Sequence, residues 1–395
     1  MAQTDLKAPR LLILNQMAGP MTWELAEDAG EALGCVAMLT GHPDTLAKGS
    51  TDKVRLFPAA TYKRGSFARR ALSWIQYGWQ AFFWLWRWPQ DIPVLMFSNP
   101  PVLCWLGWLM KMLRGQRYSV MVHDIYPNVL VSVGGFSERH PLIRFWRALN
   151  RHAYENADVV MTLGEFMAAN LEKQFDARKT RPGKVEVVYP WVDTEKIKPM
   201  PKAENWFAQK HNQLDKLTVM YSGNMGLGHD IETMLEAARL LHDEPKIHFM
   251  FIGAGPKWKF VERAIAQHHL QNVTLLPWQP EETLPYSLAC ADVALVSLEP
   301  GMEGLALPSK AIHFMGAGAS ILIISNMHNE LVGWAVNPKD YIITNSKRLA
   351  SLLREILESS TLPDLRFSTF SNAKNLFERR KNETLLLNIL NLYVL

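Results

Sequence analysis

The amino-acid sequence predicts an α/β protein of two domains, each built on a parallel sheet that helices cover. Apolar strand-like runs alternate with longer helix-like stretches along the chain, which is the pattern of parallel strands joined by helical crossovers. The 395 residues are enough for two separate cores, and 48% hydrophobic with 20% charged residues is ordinary for a folded globular protein. A polar, proline-bearing segment near the middle of the chain separates two series of strands.

The first predicted domain covers residues 1–192. Its strand-like runs are Leu11–Leu14, Val94–Phe97, Ser119–Val122, Val159–Thr162 and Val185–Val188. Longer helix-like stretches separate these runs, so the domain is expected to be α/β. The polar segment TEKIKPMPKAENW, residues 194–206, follows them and is typical of a linker or a domain edge.

The second predicted domain covers residues 193–377. Its strand-like runs are Leu217–Met220, Ile247–Ile252, Val273–Leu276, Val293–Val296 and Ile321–Ile324. Helical periodicity over Ile231–Leu241 and Lys257–His269 accounts for two of the crossovers between them. The last residues, 378–395, form a leucine-rich stripe that predicts a terminal helix.

Charge and cysteine content narrow the class of protein. Residues 1–190 carry 22 Lys+Arg against 16 Asp+Glu, and residues 191–395 carry 20 against 22, so the first half is expected to face an anionic partner. Three widely spaced cysteines give neither a disulfide framework nor a zinc pattern and indicate a reducing compartment. The N-terminus lacks a signal-peptide pattern, so we expect a cytoplasmic location. Nucleic-acid binding is disfavoured, because no recognised module occurs.

A glycine-rich turn, YSGNMGLGHD, follows the run Leu217–Met220. The spacing of Gly223, Gly226 and Gly228 is G-x-x-G-x-G, which differs from the dinucleotide pattern and argues against NAD. Because ligands bind beyond the carboxyl ends of parallel strands, and glycines let a diphosphate approach the backbone, this turn is a candidate phosphate site. A tight turn that only packs a helix on a strand is the alternative interpretation.

The stretch EPGMEGLALPSKAIHFMGAG, residues 299–318, supplies more evidence. Glu303 lies in a glycine-rich loop after the run Val293–Val296, and Pro308 and Lys310 begin a predicted helix. The N-terminus of that helix and Lys310 can neutralise phosphates, and the carboxylate of Glu303 can accept hydrogen bonds from sugar hydroxyls. Phosphate and sugar recognition together predict a nucleotide-sugar ligand.

These motifs resemble family 4 glycosyltransferases, whose fold is GT-B. YSGNMGLGHDIETMLEAARLL, FIGAGPKWKF, LLPWQPEETLPYSLACADVALVSL and MEGLALPSKAIHFMGAG occur in the order of the family's donor domain, and MVHDIYPNVL, NADVVMTLGEFMAANL and VVYPWVDTEKIKP match upstream. The likeness is greatest to the bacterial exopolysaccharide and O-antigen branch, which includes fucosamine-transferase-like enzymes. It implies two Rossmann-like domains facing across a cleft, an acceptor domain first and a donor domain second, with the C-terminal helix returning to the first.

The resemblance also implies roles for individual residues. Glu303, His123 and Lys310 would be the catalytic set: Glu303 contacts the transferred sugar, Lys310 balances the leaving diphosphate, and His123, at the end of a strand, donates to phosphate or sugar. A buried His with only a structural role is the alternative for His123. The expected donor-binding residues are Gly223, Asn224, Met225, Gly226, Gly304, Leu305, His313 and Lys257.

Two positions depart from the family pattern. The second acidic residue that usually holds the ribose is missing, and His313 stands at one of its two spacings. The family's frequent Arg and Lys pair near the glycine turn is also absent, so Lys310, helped by Lys257, is expected to carry the phosphate charge. The resemblance implies retention of configuration without a metal or other cofactor, and UDP- or GDP-sugars are the expected donors.

An aromatic segment, ALSWIQYGWQAFFWLWRW at residues 71–88, predicts a membrane-surface helix. Eight of its 18 residues are aromatic, and Trp and Tyr favour the lipid interface. The expected contacts with an anionic inner-leaflet surface are Trp74, Trp79, Trp84, Trp88, Arg69 and Arg70. A core helix is the alternative, because the sheet needs an apolar cover.

The expected function is transfer of a sugar from a nucleotide diphosphate sugar to a polyprenyl-linked glycan, on the inner face of the membrane, in polysaccharide biosynthesis. Gly19, in QMAGPMTW, is the expected acceptor-side residue. A sugar-nucleotide 2-epimerase of the same fold and a non-catalytic partner of another transferase are the alternatives. The epimerase needs more acid/base groups than Glu303 and His123 provide.

Overall fold

The computed structural model describes residues 8–63, 67–175, 185–226, 228–298, 301–325, 330–334, 342–359 and 362–393, without the side chains of 67, 333, 363, 365, 392 and 393. The chain divides into two compact units. The first unit comprises Met1–Tyr189, Gly304–Leu307 and Arg380–Leu395, and the second comprises Pro190–Glu303 and Pro308–Arg379. Leu227, inside the predicted glycine turn, lies outside the described residues.

The first unit contains a seven-stranded parallel sheet in the order β3-β2-β1-β4-β5-β6-β7. Its strands are β1 (Leu12–Leu14), β2 (Val36–Thr40), β3 (Val54–Pro58), β4 (Val94–Phe97), β5 (Tyr118–Val122), β6 (Val160–Thr162) and β7 (Val185–Val187). Its helices are α1 (Pro20–Leu33), α2 (Pro43–Ala47), α3 (Phe67–Arg87), α4 (Leu103–Arg114), α5 (Asn128–Ser132), α6 (Pro141–Asn156) and α7 (Glu165–Glu172).

The second unit contains a six-stranded parallel sheet in the order β10-β9-β8-β11-β12-β13. Its strands are β8 (Leu217–Asn224), β9 (Ile247–Ala254), β10 (Val273–Leu276), β11 (Val293–Ser297), β12 (Ser320–Ile324) and β13 (Ile342–Ile343). Its helices are α8 (Trp206–Lys210), α9 (Ile231–Leu240), α10 (Trp258–His268), α11 (Leu284–Cys290), α12 (Lys310–Gly316), α13 (Glu330–Trp334), α14 (Ser346–Glu358) and α15 (Leu362–Phe377), and the terminal helix α16 (Arg379–Tyr393) follows.

Both sheets reverse their strand order beside their first strand. In the first sheet β1 lies between β2 and β4, and in the second sheet β8 lies between β9 and β11. The carboxyl ends of strands at such a reversal form the place where open α/β sheets bind ligands. The predicted glycine turn follows β8, and Gly19 follows β1.

The central strands of both sheets are largely buried, whereas β3, β7 and β10 are only partly buried. Leu12–Leu14, Val36–Thr40 and Val293–Ser297 are buried along their whole length, which is why they consist almost entirely of apolar residues. The second unit's core joins Tyr221, Phe249 and Phe251 of the sheet to buried side chains of α9 and α14. The predicted alternation of strands and helices is therefore confirmed.

Candidate nucleotide-sugar site and outer apolar face

The glycine turn at the end of β8 brings two strands unusually close together. Gly223 and Gly253 are register partners in β8 and β9, with φ values of +143° and +140°. A Cβ atom on Gly253 would lie 2.0 Å from the carbonyl oxygen of Gly223, so only glycine fits there. Asn224 ends β8 with an exposed side chain, and its carbonyl accepts a hydrogen bond from the Tyr221 hydroxyl at 2.7 Å.

Met225 does not face a ligand, and the prediction that it binds the donor is wrong. Its side chain is fully buried in the core of the second unit. Its N–H donates to the Ala254 carbonyl at 2.7 Å, and its carbonyl accepts from the N–H of Lys257 at 3.0 Å. Gly226, the next residue, is half-buried, and a Cβ atom there would approach the Asn224 amide nitrogen to 3.0 Å.

Lys310, the first residue of α12, places an unpartnered amine beside this turn. Its Nζ lies 3.8 Å from the centroid of the Tyr221 ring, and its Cδ lies 3.5 Å from where a Cβ on Gly223 would be. The Nζ atom is buried and has no hydrogen-bond partner among the described residues. Burial lowers the pKa of Lys310 to about 7. A buried cation without an anion is costly, so this arrangement favours an anionic ligand.

His229 and Ser297 also belong to this site, and sequence reasoning missed them. Nδ1 of His229 lies 3.2 Å from the carbonyl oxygen of Ser297, the last residue of β11. Burial first, and then the charge of Lys310, lower the pKa of His229 to about 4, so its imidazole is neutral at pH 7. The Ser297 hydroxyl accepts from the N–H of Asp230, which in turn caps α9. That N-cap was the available signal in the sequence.

Lys257 stabilises the turn. Its Nζ donates to the carbonyl of His229 at 2.7 Å and to the Glu232 carboxylate at 2.8 Å. The charge of Lys257 is therefore already compensated, in contrast to that of Lys310. A phosphate contact of Lys257, predicted from the sequence, stays a prediction and requires these bonds to open.

Glu303 and His313 lie before and after Lys310 in the chain, and both are half-buried. The carboxylate of Glu303 accepts from the N–H of Gly301 at 2.6 Å. Nδ1 of His313 lies 3.2 Å from the Ser309 carbonyl, one turn earlier in the chain. The sugar contact of Glu303 and the ribose contact of His313 stay predictions.

The residues that follow Glu303 cluster with the first unit. The Gly304 carbonyl accepts from the Asn170 amide at 3.1 Å, and the Leu305 carbonyl accepts from the N–H of Ile125 at 2.8 Å. Gly304 has a φ of +64°, and a Cβ atom there would lie 2.5 Å from the Asn170 nitrogen. These bonds engage the carbonyl groups of Gly304 and Leu305. The predicted contact of Gly304 and Leu305 with the donor uses their N–H groups instead, and it stays a prediction.

His123 and Asp124 follow β5 in the first unit. The N–H of His123 donates to the Ser98 hydroxyl at 2.9 Å, and its ring lies edge-on to Phe97 with the ring centres 5.2 Å apart. Burial lowers the pKa of His123 to about 4 and raises that of Asp124 to about 6. A neutral imidazole retains one N–H donor, so the predicted role of His123 as a donor to sugar or phosphate is chemically available.

Gly19 is the N-cap of α1, after the end of β1. It has extended backbone geometry, and its carbonyl accepts from the N–H of Trp23 at 3.0 Å. Apart from its chain neighbours, no atom of the described residues lies within 4 Å of the place where its Cβ would be. The acceptor-side role of Gly19 stays a prediction.

The aromatic helix α3 has two apolar faces. One face is buried against the first unit: Trp74 is 6% exposed and Trp88 is 8% exposed, and Trp74 packs near Tyr126 and Trp146. The prediction that these two tryptophans contact a membrane is therefore wrong, because helical periodicity did not show which face the sheet covers. Trp84 is half-buried, with its ring centre 4.2 Å from that of Phe57.

The opposite face of α3 is exposed and apolar. Its side chains are 50% to 60% exposed and lie at helical spacing: Leu72, Ile75, Trp79, Phe83 and Trp86. The neighbouring helix α4 adds Leu109, Met112 and Leu113, and together these eight residues are called the outer apolar face. Cations lie at its edge, since Arg87 lies over the Phe83 ring and Arg114 over the Trp86 ring.

The basic residues at the start of α3 differ in exposure. Arg69 is exposed, as predicted for a surface contact, whereas Arg70 is half-buried and its Nε atom is fully buried. Across residues 67–117 the sequence has six Lys+Arg and a single carboxylate, Asp91. No described helix is both long and apolar enough to span a bilayer.

Comparisons with known proteins agree with this architecture. Residues 18–191 match the family model of the glycosyl transferase 4-like domain, and residues 216–359 match the model of glycosyl transferases group 1. The chain belongs to the family 4 glycosyltransferases. The family predicted from the ordered motifs is thereby confirmed.

Relatives of this glycosyltransferase occur in bacteria and fungi. The probable glycosyltransferase WbjE of Pseudomonas aeruginosa is 29% identical to this chain, over 67% of this chain and 66% of that protein. The putative colanic acid biosynthesis glycosyl transferase WcaI of Escherichia coli (strain K12) is 27% identical, over 69% of this chain and 68% of that protein. The chitobiosyldiphosphodolichol beta-mannosyltransferase of Candida albicans is 26% identical, over 56% of this chain and 51% of that protein. The chain thus spans about two thirds of the length of the bacterial relatives.

Solved structures share the fold of this glycosyltransferase. Anabaena HepE, in complex with UDP and glucose, aligns over 97% of this chain and 100% of its own with a TM-score of 0.73 at 12% identity. Sucrose-phosphate synthase from Thermosynechococcus elongatus aligns over 97% of this chain and 98% of its own with a TM-score of 0.74 at 16% identity. The predicted GT-B class, with two α/β domains on parallel sheets, is confirmed.

Proposed function

We propose that the protein transfers a sugar from a nucleotide diphosphate sugar to a lipid-linked glycan in bacterial polysaccharide biosynthesis. The observation that carries this proposal is the buried, unpartnered Nζ of Lys310 beside the Gly223 turn. The diphosphate of the donor supplies the missing anion, and the glycines allow it to approach the backbone. The names of WbjE and WcaI, and the UDP and glucose held by HepE, support a UDP-sugar as the first donor to test.

In the proposed reaction, charge stabilisation supplies most of the catalysis. The leaving diphosphate gains negative charge as the glycosidic bond to it breaks, and the Lys310 ammonium stabilises that charge. A preorganised donor of this kind typically contributes about 3–4 kcal/mol. Glu303 orients the sugar, and the departing phosphate takes the acceptor proton on the same face, which retains the configuration. His229 is neutral at pH 7, so Lys310 rather than His229 supplies the positive charge beside the phosphate.

The outer apolar face is proposed to lie on an anionic membrane surface. Trp79 and Trp86 favour the lipid interface, and Arg87 and Arg114 at the edge of the face favour anionic headgroups. A lipid-linked acceptor is presented at such a surface, and the name of the related chitobiosyldiphosphodolichol mannosyltransferase indicates a lipid diphosphate acceptor for that enzyme. The proposed location is thus cytoplasmic and peripheral to the inner face of the membrane.

Thermal stabilisation by UDP-, GDP-, ADP- and dTDP-sugars tests the donor assignment. We expect one nucleotide class to raise the melting temperature, because it binds only the folded state. Lys310→Met should abolish the shift, and Lys259→Met, which removes an exposed lysine of the same unit, should preserve it. A wild-type protein that is folded but stabilised by none of the four classes would contradict the proposal. Release of nucleoside diphosphate with a lipid-linked acceptor separates an enzyme from a non-catalytic partner.

Vesicle co-sedimentation tests the membrane assignment. The protein should bind phosphatidylglycerol vesicles more tightly than phosphatidylcholine vesicles. The double variant Trp79→Ser/Phe83→Ser should bind at least about tenfold more weakly, since each buried aromatic contributes roughly 1.5–3 kcal/mol. Trp278→Ser removes an exposed tryptophan of the second unit and serves as the control. Equal loss in the control and the double variant would contradict the assignment.

A further inference from the structure

The first unit contains a basic cavity whose lining includes Leu305 but none of the other residues predicted above to bind the donor. Its volume is about 440 Å³, and three cations and three amides line it: Arg147, Arg151, Lys173, Asn128, Asn170 and Gln174. Leu305 completes the lining, two residues after Glu303 in the chain. None of these lining residues is a carboxylate, so the cavity has an excess of positive charge.

Two helices and one short turn of helix hold these groups in place. Arg147 and Arg151 lie one turn apart on α6, so their side chains extend from the same face of that helix. Lys173 is the C-cap of α7, and Gln174 follows it. Nε of Arg147 donates to the Asn128 amide oxygen at 2.8 Å, which holds the guanidinium beside the first residue of α5.

The positive charge of the cavity is only weakly compensated. Within the described chain, the one ion pair of its three cations joins Arg147 to Glu138 at 3.7 Å, and the Glu138 side chain is 72% exposed. Arg151 and Lys173 are exposed and make no ion pair with a described residue. Three like charges around one cavity repel each other, and a bound anion relieves that repulsion. Guanidinium groups in particular match phosphate oxygens in bidentate geometry.

The amides indicate that the ligand also carries hydroxyl groups. Oε1 of Gln174 is buried and has no hydrogen-bond donor among the described residues. A buried acceptor left unpaired costs about 1–3 kcal/mol, so a donor from a ligand is favoured there. The amide of Asn170 already holds the Gly304 carbonyl, which ties the cavity to the loop that follows Glu303.

The position of α6 connects the cavity to the outer apolar face. Helix α4, which carries Leu109, Met112 and Leu113 of that face, packs against both α3 and α6. The exposed side of α6 adds Leu142 and Phe145, on the same helix as the cavity's Arg147. A ligand with a phosphate head and a lipid tail therefore finds cations and apolar surface on neighbouring helices.

We propose that this cavity binds the diphosphate and first sugar of the lipid-linked acceptor. The assignment rests on the proposed transferase function for the identity of the ligand. The ligand group that the cavity recognises is a diphosphate attached to a hydroxyl-rich sugar. This group can be part of a polyprenyl lipid, or the diphosphate can be free. The cavity belongs to the first unit, whereas the Gly223 turn and Lys310, which are proposed to take the donor, belong to the second.

Calorimetric titration tests this assignment with three probes: farnesyl diphosphate, inorganic diphosphate and UDP. We expect farnesyl diphosphate to bind wild-type protein at a single site even when UDP is saturating. Arg151→Gln/Lys173→Gln should weaken that binding roughly tenfold for each charge removed, without changing the affinity for UDP. Arg144→Gln is the matched control, because it removes an exposed arginine of α6 outside the cavity lining.

The outcomes separate the cavity from the donor site. Equal weakening by the control, no weakening in the double variant, or displacement of farnesyl diphosphate by UDP would overturn the cavity assignment. Tighter binding of farnesyl diphosphate than of inorganic diphosphate assigns the ligand to the lipid, and equal binding assigns it to the diphosphate alone. Wild-type protein that binds farnesyl diphosphate but no nucleotide sugar would overturn the donor proposal and leave the cavity assignment in place.

Discussion

The two ends of strand β11 differ in whether a buried charge has a partner of opposite sign. At the amino end, the Asp292 carboxylate contacts Lys202 and Arg366 and accepts from the N–H of Thr218 at 2.8 Å. At the carboxyl end, beyond Ser297, Lys310 is buried with no partner among the described residues. Both environments exclude water, yet only the amino end supplies the opposite charge from within the fold.

This difference separates a structural cluster from a binding site. Lys202 also donates to the Lys216 carbonyl and the Thr218 hydroxyl, so the whole cluster is satisfied without a ligand. An unpaired buried ammonium carries its desolvation cost in the empty protein, and that cost is recovered when an anion binds. In the second unit, incomplete pairing therefore occurs at the end of the sheet that is proposed to bind the donor.

Asp292→Asn should have the largest effect on stability. The substitution leaves the half-buried Lys202 and Arg366 without their buried carboxylate, and breaking a buried pair in this way costs about 3–5 kcal/mol. The shift of the urea midpoint measures that loss. Glu236→Gln removes one partner of the exposed Arg239–Glu236 pair and should change stability by less than about 1 kcal/mol. Equal shifts in the two variants would show that the cluster at the amino end is not structural.

Lys310→Met should have the opposite pattern of effects, lowering nucleotide-sugar affinity without lowering stability. Removing a buried charge that has no partner should leave the free energy of unfolding unchanged or raise it, because the desolvation cost disappears. Nucleotide-sugar affinity should fall about tenfold to a hundredfold, since a charged hydrogen bond contributes about 1.5–3 kcal/mol. Urea denaturation and calorimetric titration of the same preparation measure both quantities. A destabilised variant with normal affinity would reverse the assignment of the two ends.

The sequence predicted the fold more completely than the site. Five strands of each sheet were recognisable as apolar runs, because strands covered on both faces contain few polar residues. Strand β3 was missed because Arg55 interrupts it and it lies at the sheet edge, and β13 has only two residues. Strand β2 was missed although all five of its residues are buried, and its apolar content was sufficient to find it.

Within the site, the sequence indicated the residues whose role can be recognised from neighbouring positions in the chain. Gly223 and Lys310 stand in turns where glycine and a helix start are visible in the chain. The contact of His229 with Ser297 joins positions 68 residues apart, which only the sheet order brings together. The buried position of Trp74 likewise follows from its packing against Leu130 and Trp146, which the sequence did not indicate because α3 is apolar on both faces.

Donor affinity should fall as the pH rises above about 7. Burial lowers the pKa of Lys310 to about 7, and the proposed donor site requires the protonated form. Two neighbouring groups do not titrate in this range: burial lowers the pKa of His229 to about 4 and raises the pKa of Tyr221 far above neutrality. Affinity should decline by up to about tenfold per pH unit, whereas Lys310→Met should show no such decline.

The lowered pKa of Lys310 also predicts the direction in which stability changes with pH. Between pH 7 and the ordinary lysine pKa of 10.5, the unfolded chain keeps the proton that folded Lys310 has lost. The unfolded state then binds more protons, so the Lys310 contribution to the free energy of unfolding rises with pH in that window. Urea midpoints of wild-type protein minus those of Lys310→Met isolate this contribution. A difference that falls with pH would contradict the assigned direction.

Substitutions of Tyr221 should have the smallest effects on donor binding and can separate its two contacts. The hydroxyl donates to the Asn224 carbonyl, and the ring lies under Nζ of Lys310. Tyr221→Phe keeps the ring and should cost about 0.5–1.5 kcal/mol of stability with an unchanged pH midpoint for donor binding. Tyr221→Leu also removes the cation–π contact, so the ammonium is less stabilised and the midpoint should move to lower pH. If both variants gave the same midpoint, the ring would have no electrostatic role, and burial alone would set the charge of Lys310.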